Sequence, residues 1–189
     1  MKTKEDIYQK ASKMFLDRGY DNTPMSHIAQ ELGLSKAGLF HHYPSKETLL
    51  FDVIDYLNEK IFVPIYEEAV KISDPEKRLI YFFRKFAEMM AIDPSSRIAV
   101  HEANKLKPHH FKKVKKNWQK AYGLLRDAIS EMQASGKVKK INSSFAAFAA
   151  IGMCSWTFYW FDYSRKDGSE ELVETFLEIF MGGITKGSE

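Results

Sequence analysis

The chain has 189 residues, 28 Lys and Arg against 25 Asp and Glu for a net charge of +3, and one cysteine. That length buries a good core in one domain, or in a small head with a larger body, and the weak charge bias neither supports nor refutes nucleic-acid binding. The lone Cys154 excludes an intramolecular disulfide, and the charged start MKTKEDIYQK carries no secretory signal, so a cytoplasmic protein is expected.

Ile7, Ala11, Met14, Phe15 and Arg18 follow a helical period that Gly19 ends. Thr23-Pro24 then predicts an N-cap followed by proline at the first helical position. The run from Met25 to Tyr43, MSHIAQELGLSKAGLFHHY, has residue sizes suited to two short helices crossing at a tight turn. Ala29 is small where the helices approach, Gly33 sits where the first must stop, and Leu39 falls on the inward face of the second. Ile28, Leu32 and Leu34 fill the crevice. A helix-turn-helix needs this arrangement, because its turn demands a residue tolerant of the left-handed region and a bulky contact would splay the helices. Small and apolar residues at these spacings also occur in ordinary helical hairpins. Ser35 predicts the next N-cap, which places Lys36, Ala37 and Gly38 in a first turn able to reach base edges. Pro44 stops that helix and Ser45 caps another beginning near Lys46-Glu47.

Gly19-Tyr20, Thr23, the run IAQELGLSKAGLFHHY, and Pro44-Ser45-Lys46-Glu47 followed by Leu49-Leu50 together resemble the TetR family of bacterial transcription regulators. The resemblance covers roughly the first fifty residues with its spacing preserved. It implies an all-α homodimer with a three-helix DNA-binding head at residues 1–47 and a larger helical body at 48–189 that dimerises and binds a small effector. Carried onto this chain, it places Thr23 and Lys46 against backbone phosphate and assigns base reading to the helix from Lys36 to His42, capped by Ser35. The expected DNA-binding residues are thus Thr23, Ser35, Lys36, Ala37, Gly38, Phe40, His41, His42, Tyr43 and Lys46. Helix N-termini and hydroxyls suit phosphate, and Lys36 suits guanine acceptors. Phe40 departs from a common Tyr, Gly38 from a common small hydroxylated residue and Tyr43 from a usual Phe. For His41 and His42, ordinary surface histidine is the alternative.

Further along, Leu49, Leu50, Val53, Ile54, Leu57 and Ile61 make a helical stripe that Pro64 should kink or end. Asp74-Pro75-Glu76, Asp93-Pro94 and Lys107-Pro108 each predict a helix start, and Ser135-Gly136-Lys137 a stop. Phe111, Val114, Trp118, Tyr122 and Leu125 form one stripe, which leaves Lys112, Lys113, Lys115 and Lys116 on a solvated side or available to attract an anion. His101-Glu102 begins like a zinc-protease motif, but Lys105 stands at the second histidine position, so no metal site is expected.

Residues 141–161 carry no charge, long enough for a membrane span to compete with a buried helix. Asn142, Ser143, Ser144, Gly152, Ser155 and Thr157 dilute its apolarity, and no membrane partner is expected. In the last helix, Leu172, Phe176, Ile179 and Gly183 make one stripe and Val173, Leu177, Phe180 and Ile184 a second. By resemblance the last two long helices form the dimer interface, assigned here to Phe158, Phe161, Val173, Leu177, Phe180 and Ile184.

Phe83, Phe86 and Met90, with Trp118, Tyr122, Phe148, Trp156 and Tyr159, are candidates for lining an effector cavity, although ordinary core packing explains each as well. Few ionisable residues interrupt these stripes, so an apolar or aromatic effector is expected. No cofactor is implied. A nucleophile elbow, a phosphate-binding glycine loop and a complete metal motif are all missing, which argues against an enzyme. The reading is a ligand-released repressor that binds a palindromic site on double-stranded DNA. An effector-free DNA-binding factor, an activator and, remotely, a membrane-associated or enzymatic helical protein are the alternatives.

Overall fold

The computed structural model describes residues 3–92, 94–160 and 168–185, without the side chains of 92 and 158–160. The helices are α1 Lys4–Arg18, α2 Met25–Leu32, α3 Lys36–His42, α4 Lys46–Leu57, α5 Val63–Val70, α6 Pro75–Ile92, α7 Ser96–His101, α8 Pro108–Ala134, α9 Ser143–Trp160 and α10 Ser169–Ile184. Among the described residues, the only extended pairing is an isolated antiparallel bridge between Val138 and Thr185. The all-α class is therefore as expected.

Two compact units divide the chain, one of residues 1–60 with 94–115 and the other of 61–93 with 116–189. Compactness thus groups more of the chain with the N-terminal helices than the expected division after residue 47 does.

In the first unit, local chemistry sets the helix ends. Thr3 opens α1 with a capping box, its hydroxyl accepting from the Asp6 N–H at 3.1 Å while the Asp6 carboxylate accepts from the Thr3 N–H at 2.9 Å. Gly19 closes α1 at φ 78° and Gly33 closes α2 in the left-handed region at φ 65°, ψ 29°. Past Gly33 the Leu34 N–H returns to the Ala29 carbonyl at 2.9 Å, satisfying a group that the helix end leaves open. Ile28, Leu39, Leu49, Leu50, Val53 and Ile54 are wholly buried in a core shared with Phe15 and Ala29. Each large side chain so buried contributes about 1.5–3 kcal/mol.

A five-residue π-helical turn, Asn58–Phe62, follows α4, and α5 restarts with Pro64 in its first turn. The interruption expected at Pro64 is thus absorbed one turn earlier. Proline has no N–H for the carbonyl four residues back and its ring would clash with it, so the ladder widens before Pro64 and begins afresh.

In the second unit α6 packs against α5, α9 and α10. Leu79, Phe82 and Phe83 of α6 are fully buried, with the Phe83 ring 5.3 Å from that of Phe180 on α10. Asp74 caps α6 by accepting from the Lys77 N–H at 2.9 Å, and Gly136 ends α8 at φ +75°. Arg84 forks onto the Glu174 carboxylate at 2.7 and 3.0 Å, tying α6 to α10.

Two expectations for this unit are corrected. Val173, Leu177, Phe180 and Ile184 lie in the unit's own core rather than on a face open to a partner. The other stripe of α10 is the outward one, with Ile179 60% exposed. On α9, Phe148 and Trp156 are 60% and 63% exposed, so neither lines an interior cavity. A helix apolar on every side offers no polar face to show which way it turns, and here Ala147, Ala150 and Cys154 take the inward positions. The side chain of Phe158 and the whole of Phe161 lie outside the described residues. No helix among the described residues is long and apolar enough to cross a membrane. Burial pushes the Cys154 thiol up to about 12, which keeps it protonated as a small hydrophobe.

Candidate nucleic-acid interface

Helix α3 is held by one deeply buried side chain, Leu39, while Ser35, Lys36, Ala37, Phe40, His41 and His42 are exposed and Gly38 partly so. Ser35 caps the helix by accepting from the Gly38 N–H at 3.0 Å. A Cβ on Gly38 would come within 3.1 Å of that capping oxygen, so glycine here leaves the cap undisturbed. The Lys36 ammonium lies 5.9 Å from the Phe40 ring centroid, and the His41 and His42 rings meet edge to face at 5.5 Å. The outward surface of α3 therefore carries one permanent cation, two imidazoles, a phenyl ring and two very small residues. Packed on α2, it is a narrow rod of the width a major groove admits.

Three expected DNA contacts point elsewhere. Thr23 is fully buried, and its hydroxyl donates to the Gly19 carbonyl at 2.7 Å and towards that of Met14 at 3.3 Å. Pro24, not Thr23, occupies the N-cap position of α2, without a side-chain cap. A threonine immediately after a chain reversal finds the open carbonyls at the end of α1 closer than solvent, and its hydroxyl satisfies them.

Tyr43 is 3% exposed and edge-packed against Tyr8 at 6.3 Å, so it belongs to the core rather than the DNA face. Burial raises its phenol above the ordinary value, partly offset by the Tyr8 phenol, which supplies the partner its hydroxyl needs.

Lys46 turns back onto its own unit. Its ammonium donates to the Tyr20 carbonyl at 2.8 Å and towards that of Asp21 at 3.3 Å, and stands 4.2 Å over the Tyr20 ring. Lys105 pairs with the Asp21 carboxylate beside it, and that hydrogen bond holds the Asp21 carboxyl below its ordinary range. Sequence reasoning missed this cluster, because residues 20, 46 and 105 share no local pattern.

It also missed the contacts that hold the start of α4. The first turn of α4 follows α3 directly, and there Glu47 accepts from the Lys107 N–H and pairs with His110 Nδ1, each at 2.8 Å. Lys112, Lys113, Lys115 and Lys116 are exposed, as the α8 stripe required, and Lys113 reaches the Asp55 carboxylate at 2.8 Å.

Of the candidate cavity residues, Phe83, Phe86 and Met90 are buried on α6, and the Tyr122 ring stacks on Phe148 at 4.9 Å. Trp118 is 37% exposed, and the Tyr159 side chain lies outside the described residues.

Residues 7–53 match the family model described as bacterial regulatory proteins, tetR family, and residues 73–184 match that of the tetracyclin repressor-like C-terminal domain. The chain belongs to the TetR family. This TetR-family chain is a DNA-binding transcriptional regulator, as are the relatives it resembles. It is 37% identical over 76 residues to the uncharacterized HTH-type transcriptional regulator YuxN of Bacillus subtilis, a match covering 40% of this chain and 26% of that one. Over 188 residues, 97% of this chain and 91% of the other, it is 23% identical to the HTH-type transcriptional repressor KstR2 of Mycolicibacterium smegmatis. Among solved structures, AibR in complex with isovaleryl coenzyme A and operator DNA is similar at a TM-score of 0.85 and 25% identity, over 93% of this chain and 96% of that one.

Proposed function

We propose that this TetR-family regulator is a cytoplasmic repressor that binds a palindromic operator as a homodimer and is released by a largely apolar small molecule. The observation that carries the DNA side is the exposed face of α3, with Ser35, Lys36, Ala37, Gly38, Phe40, His41 and His42 gathered on a helix anchored from behind by Leu39. Lys36 donates to guanine acceptors, and the imidazoles to purine or phosphate edges. With the Thr23 hydroxyl turned inward, the uncapped N–H groups in the first turn of α2 take over the phosphate contact assigned to it. Functionally the division remains a DNA-binding head at 1–47 and an effector-binding and dimerising body at 48–189.

Dimerisation falls to the outward faces of α9 and α10. Phe145, Phe148 and Trp156 follow i, i+3 and i+11 spacing and are 60–70% exposed, and Ile179 is equally bare on α10. Such a concentration of apolar surface needs a cover, and a second copy supplies one with the same face. Two heads related by a two-fold axis then enter successive major grooves about 34–36 Å apart.

Phe83, Phe86 and Met90 supply the apolar, adaptable surface an effector would meet in the second unit, and AibR, bound to isovaleryl coenzyme A and operator DNA, offers the precedent of a similar protein holding a small-molecule ligand together with DNA. Release requires that the effector bind better to a state whose heads are wrongly spaced, because only differential affinity shifts the equilibrium. Selection of bound sequences from a random DNA pool, followed by competition with apolar and acyl-thioester compounds, tests the reading. An inverted repeat released by an apolar compound is expected. A monomer on a single asymmetric site, or release only by charged sugars, would contradict it.

A further inference from the structure

Phe40 sits on the DNA-facing helix with 38% of its surface exposed and takes no part in the core of its unit. Leu39, the next residue on the other side of α3, is wholly buried, so the helix is not short of anchoring. The Lys36 ammonium stands 5.9 Å from the ring centroid, one turn earlier on the same flank. Ala37 and Gly38, in the first turn with Lys36, are small enough to let that turn approach a groove floor closely.

A phenyl ring has neither donor nor acceptor, so phosphate oxygens and the polar base edges offer it nothing. The major-groove group that favours an apolar ring is the C5-methyl of thymine. Resting on the DNA-binding reading above, we infer that Phe40 is a specificity-determining residue that reads a thymine methyl, while Lys36 beside it reads a guanine. The 5.9 Å between ammonium and ring spans fewer than two steps of a duplex that rises about 3.4 Å per base. The guanine and the thymine therefore lie within two base steps of each other in each half-site.

The test uses the full chain, the operator recovered by selection, and copies of that operator in which each thymine in turn is replaced by uracil. Uracil keeps every hydrogen-bonding group and loses only the methyl. At one position per half-site the wild-type protein should bind the uracil operator about fourfold more weakly, the worth of one buried methyl group. Phe40→Leu, still apolar, should retain part of that sensitivity, and Phe40→Ala should be indifferent to the replacement while melting like the wild type. If uracil weakens the wild type nowhere, or weakens it and Phe40→Ala equally, the role of Phe40 is overturned while DNA binding stands. If the wild type retains no sequence selectively, the DNA-binding reading itself falls and takes this inference with it.

Discussion

Glu47 and His110 are 63 positions apart in the chain, yet Glu47 Oε1 and His110 Nδ1 share a hydrogen bond of 2.8 Å. The same carboxylate oxygen accepts the Lys107 N–H at 2.8 Å, so it also serves the start of α8. The His110 ring lies flat on Phe51, with centroids 3.9 Å apart and planes 4° from parallel. At its first turn and again at Phe51, α4 is thus clasped by a charge, a cap and a stack.

This clasp should matter for stability and depend on pH. Burial works against the Glu47 carboxylate, but the bonds from Lys107 and His110, with their charges, outweigh it and hold the carboxyl below its ordinary 4.5. A lowered value in the folded state means the stabilisation is complete above the unfolded value and is lost as pH falls through the folded one. Glu47→Gln should cost about 1–3 kcal/mol in urea unfolding at neutral pH. The gap to the wild type should narrow as the solution is acidified below 4.5. A pH-independent gap would count against the charge as the cause.

The turn between α2 and α3 offers a purely backbone test. Gly33 sits at φ 65°, and a Cβ added there meets nothing within 4 Å, so any cost of substitution comes from conformation rather than crowding. Gly33→Ala should lower stability by about 1–2 kcal/mol, and Gly33→Asn by less, since asparagine tolerates the left-handed region better. Thermal melting followed by circular dichroism measures both.

Lys36 and Lys46 should separate cleanly in DNA titrations. Lys36 is exposed on α3, and Lys36→Ala should cost about 1–3 kcal/mol at one base pair per half-site, relaxing preference there. Lys46 is engaged by two carbonyls and the Tyr20 ring, so Lys46→Ala should lower the melting temperature and leave the salt slope of binding nearly unchanged. A slope falling by about one for Lys46→Ala would restore that residue to phosphate.

The two stripes of α10 make opposite predictions. Ile179→Asp, on the bare face, should leave a folded helical chain and shift sedimentation towards the monomer. Val173→Asp places an unpaired charge where the wild-type side chain is 2% exposed, and should unfold the chain. Monomeric behaviour of the wild type would overturn the proposed dimer.

The helices themselves could be read locally. Gly19, Gly33, Ser35, Ser45, Asp74 and Gly136 act at helix ends through contacts with residues only a few positions away, so their roles show in the order of the residues. The outward set on α3 from Ser35 to His42 was legible for the same reason, given one buried Leu39 to orient it. Tertiary structure decided what depends on residues meeting across long separations. It turned Thr23 and Tyr43 inward, tied Lys46 to the turn at Tyr20, brought His110 to Glu47, and settled which stripe of α10 is core. Spacing along a helix shows that two faces exist, but which one is buried is set by the volume the neighbouring helices leave to fill, and no local pattern records that volume.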